Sequence, residues 1–242
     1  MEKQRGFLKM KLIKHFDFTA MTELNKDDWN VCVGEKWSNN ELQQYVDSKD
    51  NLYFEDGLHI KATYENGIIK SSRINTKDKF FFQYGKIDIV AKIPDGKGTW
   101  PALWMMPQYN KYGHWPKSGE IDIMEHSGKN VDSLFLCIHT EGYNHKRKEQ
   151  YFIGKEIKGL TKSFQKFGLE WTENEIIYLL NDEEMGRYTK GENGKDATHV
   201  GWPFDEEFYL IINLAIGGTF GGEADVNVLP QEFIVKDIKI YQ

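Results

Sequence analysis

The chain has 242 residues, enough to bury a substantial core, and is best read as one domain over 1–242. Its 31 Lys and Arg against 37 Asp and Glu give a formal charge of −6, which disfavours an overall basic nucleic-acid binder, and 40% hydrophobic with 28% charged residues is the composition of a globular chain rather than a disordered one. Aromatic residues reach 14%, a load that suits packed sheets and flat ligands such as sugar rings.

The first fourteen residues, MEKQRGFLKMKLIK, carry five basic side chains, and no apolar run of signal-peptide length follows them. The compartment is therefore left open between the cytoplasm and an export signal removed from this sequence. Met10 is an alternative start, which would leave residues 1–9 as a loose tail. Strands are expected at 52–53, 58–64, 80–93, 121–125, 134–139, 167–171, 176–180, 208–212 and 233–241, nearly all antiparallel. In the last of these Ile238 and Ile240 face one way and Lys239 the other. Asn66-Gly67, Asp95-Gly96, Asn181-Asp182 and Asn193-Gly194 are pairs that close hairpins or strand connections. Helix signals are confined to single turns near 26–29 and 160–164. The longest apolar stretch, 209–218, is about half of the roughly 20 residues that a spanning helix needs, and it contains Asn213. The two cysteines, Cys32 and Cys137, read as buried free thiols. The fold class that fits is all-β, a two-sheet antiparallel β-sandwich of jelly-roll type with a concave groove long enough for a polymer.

The sharpest feature is Gly119-Glu120-Ile121-Asp122-Ile123-Met124-Glu125-His126, with three acids inside six residues of otherwise apolar sequence. On a regular strand Glu120 and Asp122 share a face and Glu125 points the other way. One extra residue at Ile123 or Met124 resets the alternation and turns all three toward one groove. Four strand steps then put the Glu120 and Glu125 backbones roughly 13 Å apart, and side chains leaning inward leave about 5 Å between carboxyls. That is the spacing of a retaining glycosidase, about 5–5.5 Å, and it is too short for an inverting one. Three like charges this close also raise at least one pKa, keeping one acid protonated near neutral pH. Taken alone, the spacing equally suits a solvated acidic edge strand or a cation site.

Upstream stand Trp100-Pro101-Ala102-Leu103-Trp104-Met105-Met106-Pro107 and Trp115-Pro116-Lys117-Ser118. Indole rings stack on the C–H faces of pyranoses, so Trp100, Trp104 and Trp115 beside acids suit a carbohydrate subsite, with a core position as the competing reading of Trp104.

With these pieces the chain resembles glycoside hydrolase family 16, in the bulge-containing branch with the E-x-D-x-x-E motif, and within it the bacterial laminarinases, which are endo-β-1,3-glucanases. The resemblance is carried by WPALWMMP and WPKSGEIDIMEHSG, by WSNNELQQYV and NLYFEDGLHIKA, by RINTKDKFFFQYGKIDIVAKIPDGKGTW and FGLEWTENEIIYLLND, and by FYLIINLAIGGTFGG and IVKDIKIYQ, in family order from about Asn39 to Gln242. It implies that Glu120 is the nucleophile, Asp122 its helper and Glu125 the general acid/base of a retaining hydrolysis that requires no cofactor. It further implies sugar contacts from Asn39 or Asn40, Glu41 and Arg73 on the non-reducing side, from His139 on the leaving-group side, and from Asn213 in the groove. Two departures stand out: Phe220 occupies the place of a groove Trp in GGTFGG, and Asp17 that of a family Glu. In many members that Glu joins a C-terminal carboxylate, here Asp237, at a structural calcium, so the shorter Asp17 leaves the ion in doubt.

The expected partner is a β-glucan chain, taken up by a monomer with no nucleic acid and no membrane. Mixed-linkage β-1,3-1,4-glucanases share the acids and differ in loops that sequence does not read, while agarases and carrageenases lack the WPALWMMP match. A transglycosylase would use the same covalent intermediate. A non-catalytic β-glucan-binding module is opposed by the intact acids.

Overall fold

The computed structural model describes residues 10–242, so the tail expected over 1–9 lies outside the described residues. Among these, ten strands form one sheet, with Gly85–Lys92, Gln165–Trp171 and Gln231–Tyr241 near its centre. Eight form the other, running from Tyr151–Glu156 through Ser133–His139, Glu120–Glu125, Thr99–Pro107 and Phe208–Ile216 to Arg73–Asn75 and Asn30–Val31, with Phe81–Phe82 also paired to Phe208–Ile216. Pairing is antiparallel throughout except between Gln44–Tyr45 and Ile68–Ser71. The inner faces meet in one apolar core: Phe16, Ile60, Ile89, Leu169, Phe233 and Ile238 from the first sheet, and Leu103, Met105, Ile121, Leu136, Ile138, Leu210 and Leu214 from the second. Ile238 and Ile240 are fully buried and Lys239 is not, as the alternation requires.

The single run expected over 80–93 is two strands. Phe81–Phe82 pairs in the eight-stranded sheet and Gly85–Lys92 in the ten-stranded one, so the chain changes sheets between them. Tyr84 and Gly85 make the corner with φ of 60° and 124°, and a Cβ on Gly85 would lie 2.1 Å from the Tyr241 carbonyl oxygen, so only glycine fits. The Asn66-Gly67 and Asn181-Asp182 turns carry the positive φ values of primed hairpin turns. The helical signals near 26–29 and 160–164 are hydrogen-bonded turns and no more. Both cysteines are free, but Cys32 is only half-buried; Cys137 alone is a buried thiol.

Asp17 and Asp237 lie directly opposite each other on paired strands. One Asp237 oxygen bonds the His15 ring at 2.7 Å, the other lies 3.2 Å from the Lys239 ammonium, and Asp17 accepts from the Thr19 backbone and hydroxyl. Calcium takes six to eight oxygens, and no further carboxylate, imidazole or thiol joins this pair to make a cluster of three among the described residues. As arranged, both carboxylates are engaged by these neighbours, and calcium held here would draw its further oxygens from backbone carbonyls and water.

Candidate active site

The groove is floored by the outer face of the eight-stranded sheet, and strand register says which side chains meet on it. Across the five central strands, Phe135, Glu125, Ala102, Asn213 and Arg73 form one row, while Cys137, Asp122, Trp104, Ile211 and Asn75 form the next. The acids reach these rows through a bulge. Trp104 pairs with Asp122 and Leu103 with Met124, which leaves Ile123 without a partner on that side. Toward the other neighbour, Asp122 pairs with Cys137 and Glu125 with Phe135, so Ile123 and Met124 together oppose Leu136 alone. Ile121, Ile123 and Met124 are buried in the core, and Glu120, Asp122 and Glu125 are returned to the groove face. Gly119 sets the entry to this strand: its φ is 89°, and a Cβ there would press to 2.9 Å on the Phe204 ring.

The three carboxyls are short of donors. Glu125 accepts from Trp100 Nε1 at 2.9 Å, and burial pushes its pKa up to about 7 against that bond. Burial, reinforced by the Glu125 charge, pushes Glu120 up to about 7 as well, opposed by Trp115, Asp122 and the Arg73 guanidinium. Asp122 is 3% exposed and its Oδ2 has no hydrogen-bond partner; burial, then its two acidic neighbours, raises it well above the carboxylate range. His139 Nε2 stands 3.5 Å from Asp122 and 3.8 Å from Glu120. Burial and the nearby His145 lower the His139 pKa to about 4, so the ring is neutral at neutral pH and these approaches are not ion pairs. His139 and His145 rings meet edge to face at 5.2 Å, and Trp115 packs on both.

Further along the groove the remaining expected residues form a bonded chain. Trp104 Nε1 donates to Asn213 at 2.7 Å, Asn213 donates to the Tyr45 hydroxyl at 3.0 Å, and that hydroxyl and Gln43 both donate to Glu41 Oε2, at 3.3 and 2.8 Å. Arg73 is sandwiched between indoles, 5.0 Å from the Trp37 ring and 4.8 Å from the Trp104 ring, with its buried Nε unpartnered. Trp104 is thus half-exposed on the groove face rather than a core residue. Asn39 and Asn40 both have positive φ; the Asn39 backbone packs against Gly218, and Asn40 is exposed without a side-chain bond to the groove among the described residues. Phe220, in place of the family Trp, packs between Trp100 at 5.2 Å and Phe135 at 5.0 Å.

Sequence reading passed over Trp37, Gln43, Tyr45, Phe135 and His145. The alternation Glu41, Gln43, Tyr45 marks one face and could have flagged the second and third. Nothing in the sequence singles out His145.

The family model for glycosyl hydrolases family 16 matches residues 36–225. Among solved structures, the laminarinase from Flavobacterium sp. UMI-01 superposes with a TM-score of 0.88 at 36% identity over 96% of this chain and 100% of its own. The Rhodothermus marinus laminarinase gives 0.91 at 33% identity, over 96% and 97%. SCLam, a non-specific endo-β-1,3(4)-glucanase, gives 0.88 at 30% identity, over 96% and 91%. With the match over most of its length and the acids returned to one face by a bulge, this chain belongs to glycosyl hydrolases family 16.

Proposed function

We propose that the protein is a retaining, endo-acting β-glucan hydrolase whose preferred bond is the β-1,3 linkage. The observation that carries the reading is the bulge at Ile123, which turns Glu120 and Glu125 to the same groove face with both carboxyls pushed up to about 7. Two acids balanced there hold one proton between them at neutral pH, and a double displacement needs one protonated and one ionised partner. Glu120 is the ionised one: the Arg73 charge favours its carboxylate, whereas Glu125 has the Trp100 N–H alone.

Glu125 gives its proton to the glycosidic oxygen as that C–O bond breaks, and Glu120 closes on the anomeric carbon to form a glycosyl ester. Glu125, now a carboxylate, takes a proton from water; the hydroxide attacks the anomeric carbon from the opposite face and the ester breaks, restoring both acids. Asp122, protonated between them, donates to Glu120 and steadies its developing charge. Trp115 and Trp104 offer ring faces to sugars on either side of the acids, and Arg73, Glu41 and Asn213 bind hydroxyls.

The test offers laminarin, barley β-glucan, lichenan and agarose in parallel, sizes the products and reads the first anomer formed by NMR, with Glu120→Gln as control. The expected outcome is fastest cleavage of laminarin to mixed oligosaccharides with β reducing ends. An α-anomer overturns the double displacement, and no cleavage of any substrate overturns the hydrolase. A mixed-linkage preference is the second reading, favoured by the likeness to SCLam; equal digestion of lichenan and laminarin establishes it.

A further inference from the structure

One residue of the groove floor has no part in this chemistry. Cys137 sits beside Asp122 on the neighbouring strand, 2% exposed, with its side chain on the acid face two positions before His139. Its Sγ lies 3.6 Å from His139 Nε2, and His139 Nε2 lies 3.5 Å from Asp122 Oδ2. The three ligand atoms fall within 4.8 Å of one another, the only such thiol, imidazole and carboxylate cluster among the described residues.

The two separations from His139 Nε2 match the edges of a coordination tetrahedron. With metal–ligand bonds of about 2.0–2.3 Å, a tetrahedral zinc site places its N and S donors about 3.5 Å apart and its N and O donors about 3.4 Å apart. The Asp122 Oδ2 that would bind is the one without a hydrogen-bond partner, in a residue 97% buried, so a lone pair points into the cluster unclaimed. A fourth donor is at hand in Glu120 Oε1, 3.8 Å from the same His139 nitrogen. The His139 Nδ1 is also buried without a partner, so nothing fixes the tautomer that would keep Nε2 from binding. Sulfur, imidazole and carboxylate together select a borderline-soft divalent cation over calcium or magnesium, which want oxygen alone.

We propose that Cys137, His139, Asp122 and Glu120 form a zinc-class cation site, and that filling it switches the hydrolase off. The cation binds the Cys137 thiolate and the carboxylates of Asp122 and Glu120, and the protons of Cys137 and Asp122 leave to solvent. Glu120 then has no free lone pair for an anomeric carbon. The inhibitory half rests on the hydrolase reading; the binding half does not.

The experiment titrates the chelator-treated protein with Co²⁺ and follows its spectrum. A thiolate-to-cobalt band in the near ultraviolet with tetrahedral bands in the visible, both discharged by Zn²⁺, is expected. Cys137→Ser loses the near-ultraviolet band and binds Zn²⁺ at least about 10-fold more weakly, while Cys32→Ser keeps both bands. Laminarin cleavage by the wild type is lost on adding Zn²⁺ and restored by chelator; Cys137→Ser cleaves at the wild-type rate and resists Zn²⁺ about 10-fold better. Absence of the thiolate band, its persistence in Cys137→Ser, or equal inhibition of that variant overturns the proposal. Cobalt bands in a protein that cleaves no glucan uphold the site and overturn the hydrolase instead.

Discussion

Glu41 and Glu120 are acids of one groove, both raised by burial, and the protein answers that push to different degrees. Around Glu41 the sequence supplies Gln43 and Tyr45 as donors and the Arg73 charge nearby, so the upward push of burial is met on three sides. Around Glu120, Asp122 and Glu125 it supplies one indole N–H of good geometry, a neutral histidine and an unpartnered oxygen. A carboxylate held by two side-chain donors stays where it is put and can bind a hydroxyl even with its pKa somewhat raised; one with fewer keeps its proton loosely and can pass it on. The groove is divided between holding and reacting, and Arg73, between the Trp37 and Trp104 rings, touches both halves.

The comparison breaks most sharply at the acids. Glu120→Gln and Glu125→Gln each lower kcat on laminarin by about 10⁴-fold or more, with KM little changed and thermal stability kept. A loss under about 100-fold in either variant means that the reacting half is wrongly assigned. In the holding half, Arg73→Ala lowers kcat/KM by about 10–100-fold, mostly through KM, which is the worth of one charge-assisted hydrogen bond of roughly 1.5–3 kcal/mol. Arg73→Lys fails to rescue it, because an ammonium does not lie flat between two indoles. A pure kcat effect places Arg73 with the reacting acids instead.

Trp100→Phe sharpens the same line. Its N–H stabilises the Glu125 carboxylate, so its loss raises the Glu125 pKa. Activity falls on the alkaline side as the general acid deprotonates, so that limb of the kcat/KM profile moves to higher pH, with a drop at the optimum of about 10-fold. An unmoved alkaline limb separates Trp100 from Glu125.

How much of this was legible in the sequence depended on whether the signal was local. The bulge was, because E-x-D-x-x-E cannot put its last acid on the face of the first two without one extra residue. The strand Thr99–Pro107 was not, although its tryptophans were: Pro101 argues against a central strand. The structure admits it because the Pro101 carbonyl accepts from His126, so its missing N–H faces that same neighbour beyond the last ladder pair of Ala102 and Glu125, where one bond is forgone at the ladder's end and the pairing with Phe208–Ile216 is left whole. The crossing between sheets at Tyr84 and Gly85 was hidden inside one apolar run, since its cause is the Tyr241 carbonyl, far off in sequence. The Glu41 network escaped for a similar reason. Gln43 and Tyr45 gain their meaning from Asn213 and Ile216 on a strand some 170 positions later.

The smallest effect is on stability, and its sign follows from the same asymmetry. Glu120 and Glu125 are raised from 4.5 to about 7 in the folded protein, so between those values the native state binds more protons than the unfolded chain. Stability is then fully present below about pH 4.5 on this account and is lost as pH rises through 7, levelling beyond. Wild-type Tm therefore declines by about 10 °C or more from pH 5 to 8, since each acid contributes roughly 3 kcal/mol and a chain of this size shifts by about 2–4 °C per kcal/mol. Replacing both residues with Gln removes their share of the protonation difference and makes that part of the curve shallower, with the share of buried Asp122 left, whereas Glu41→Gln changes the slope less because donors oppose the rise there. A double variant whose Tm still falls as steeply as wild type would mean that the two acids are ordinary solvated carboxylates, and the division of the groove into a holding half and a reacting half would go with them.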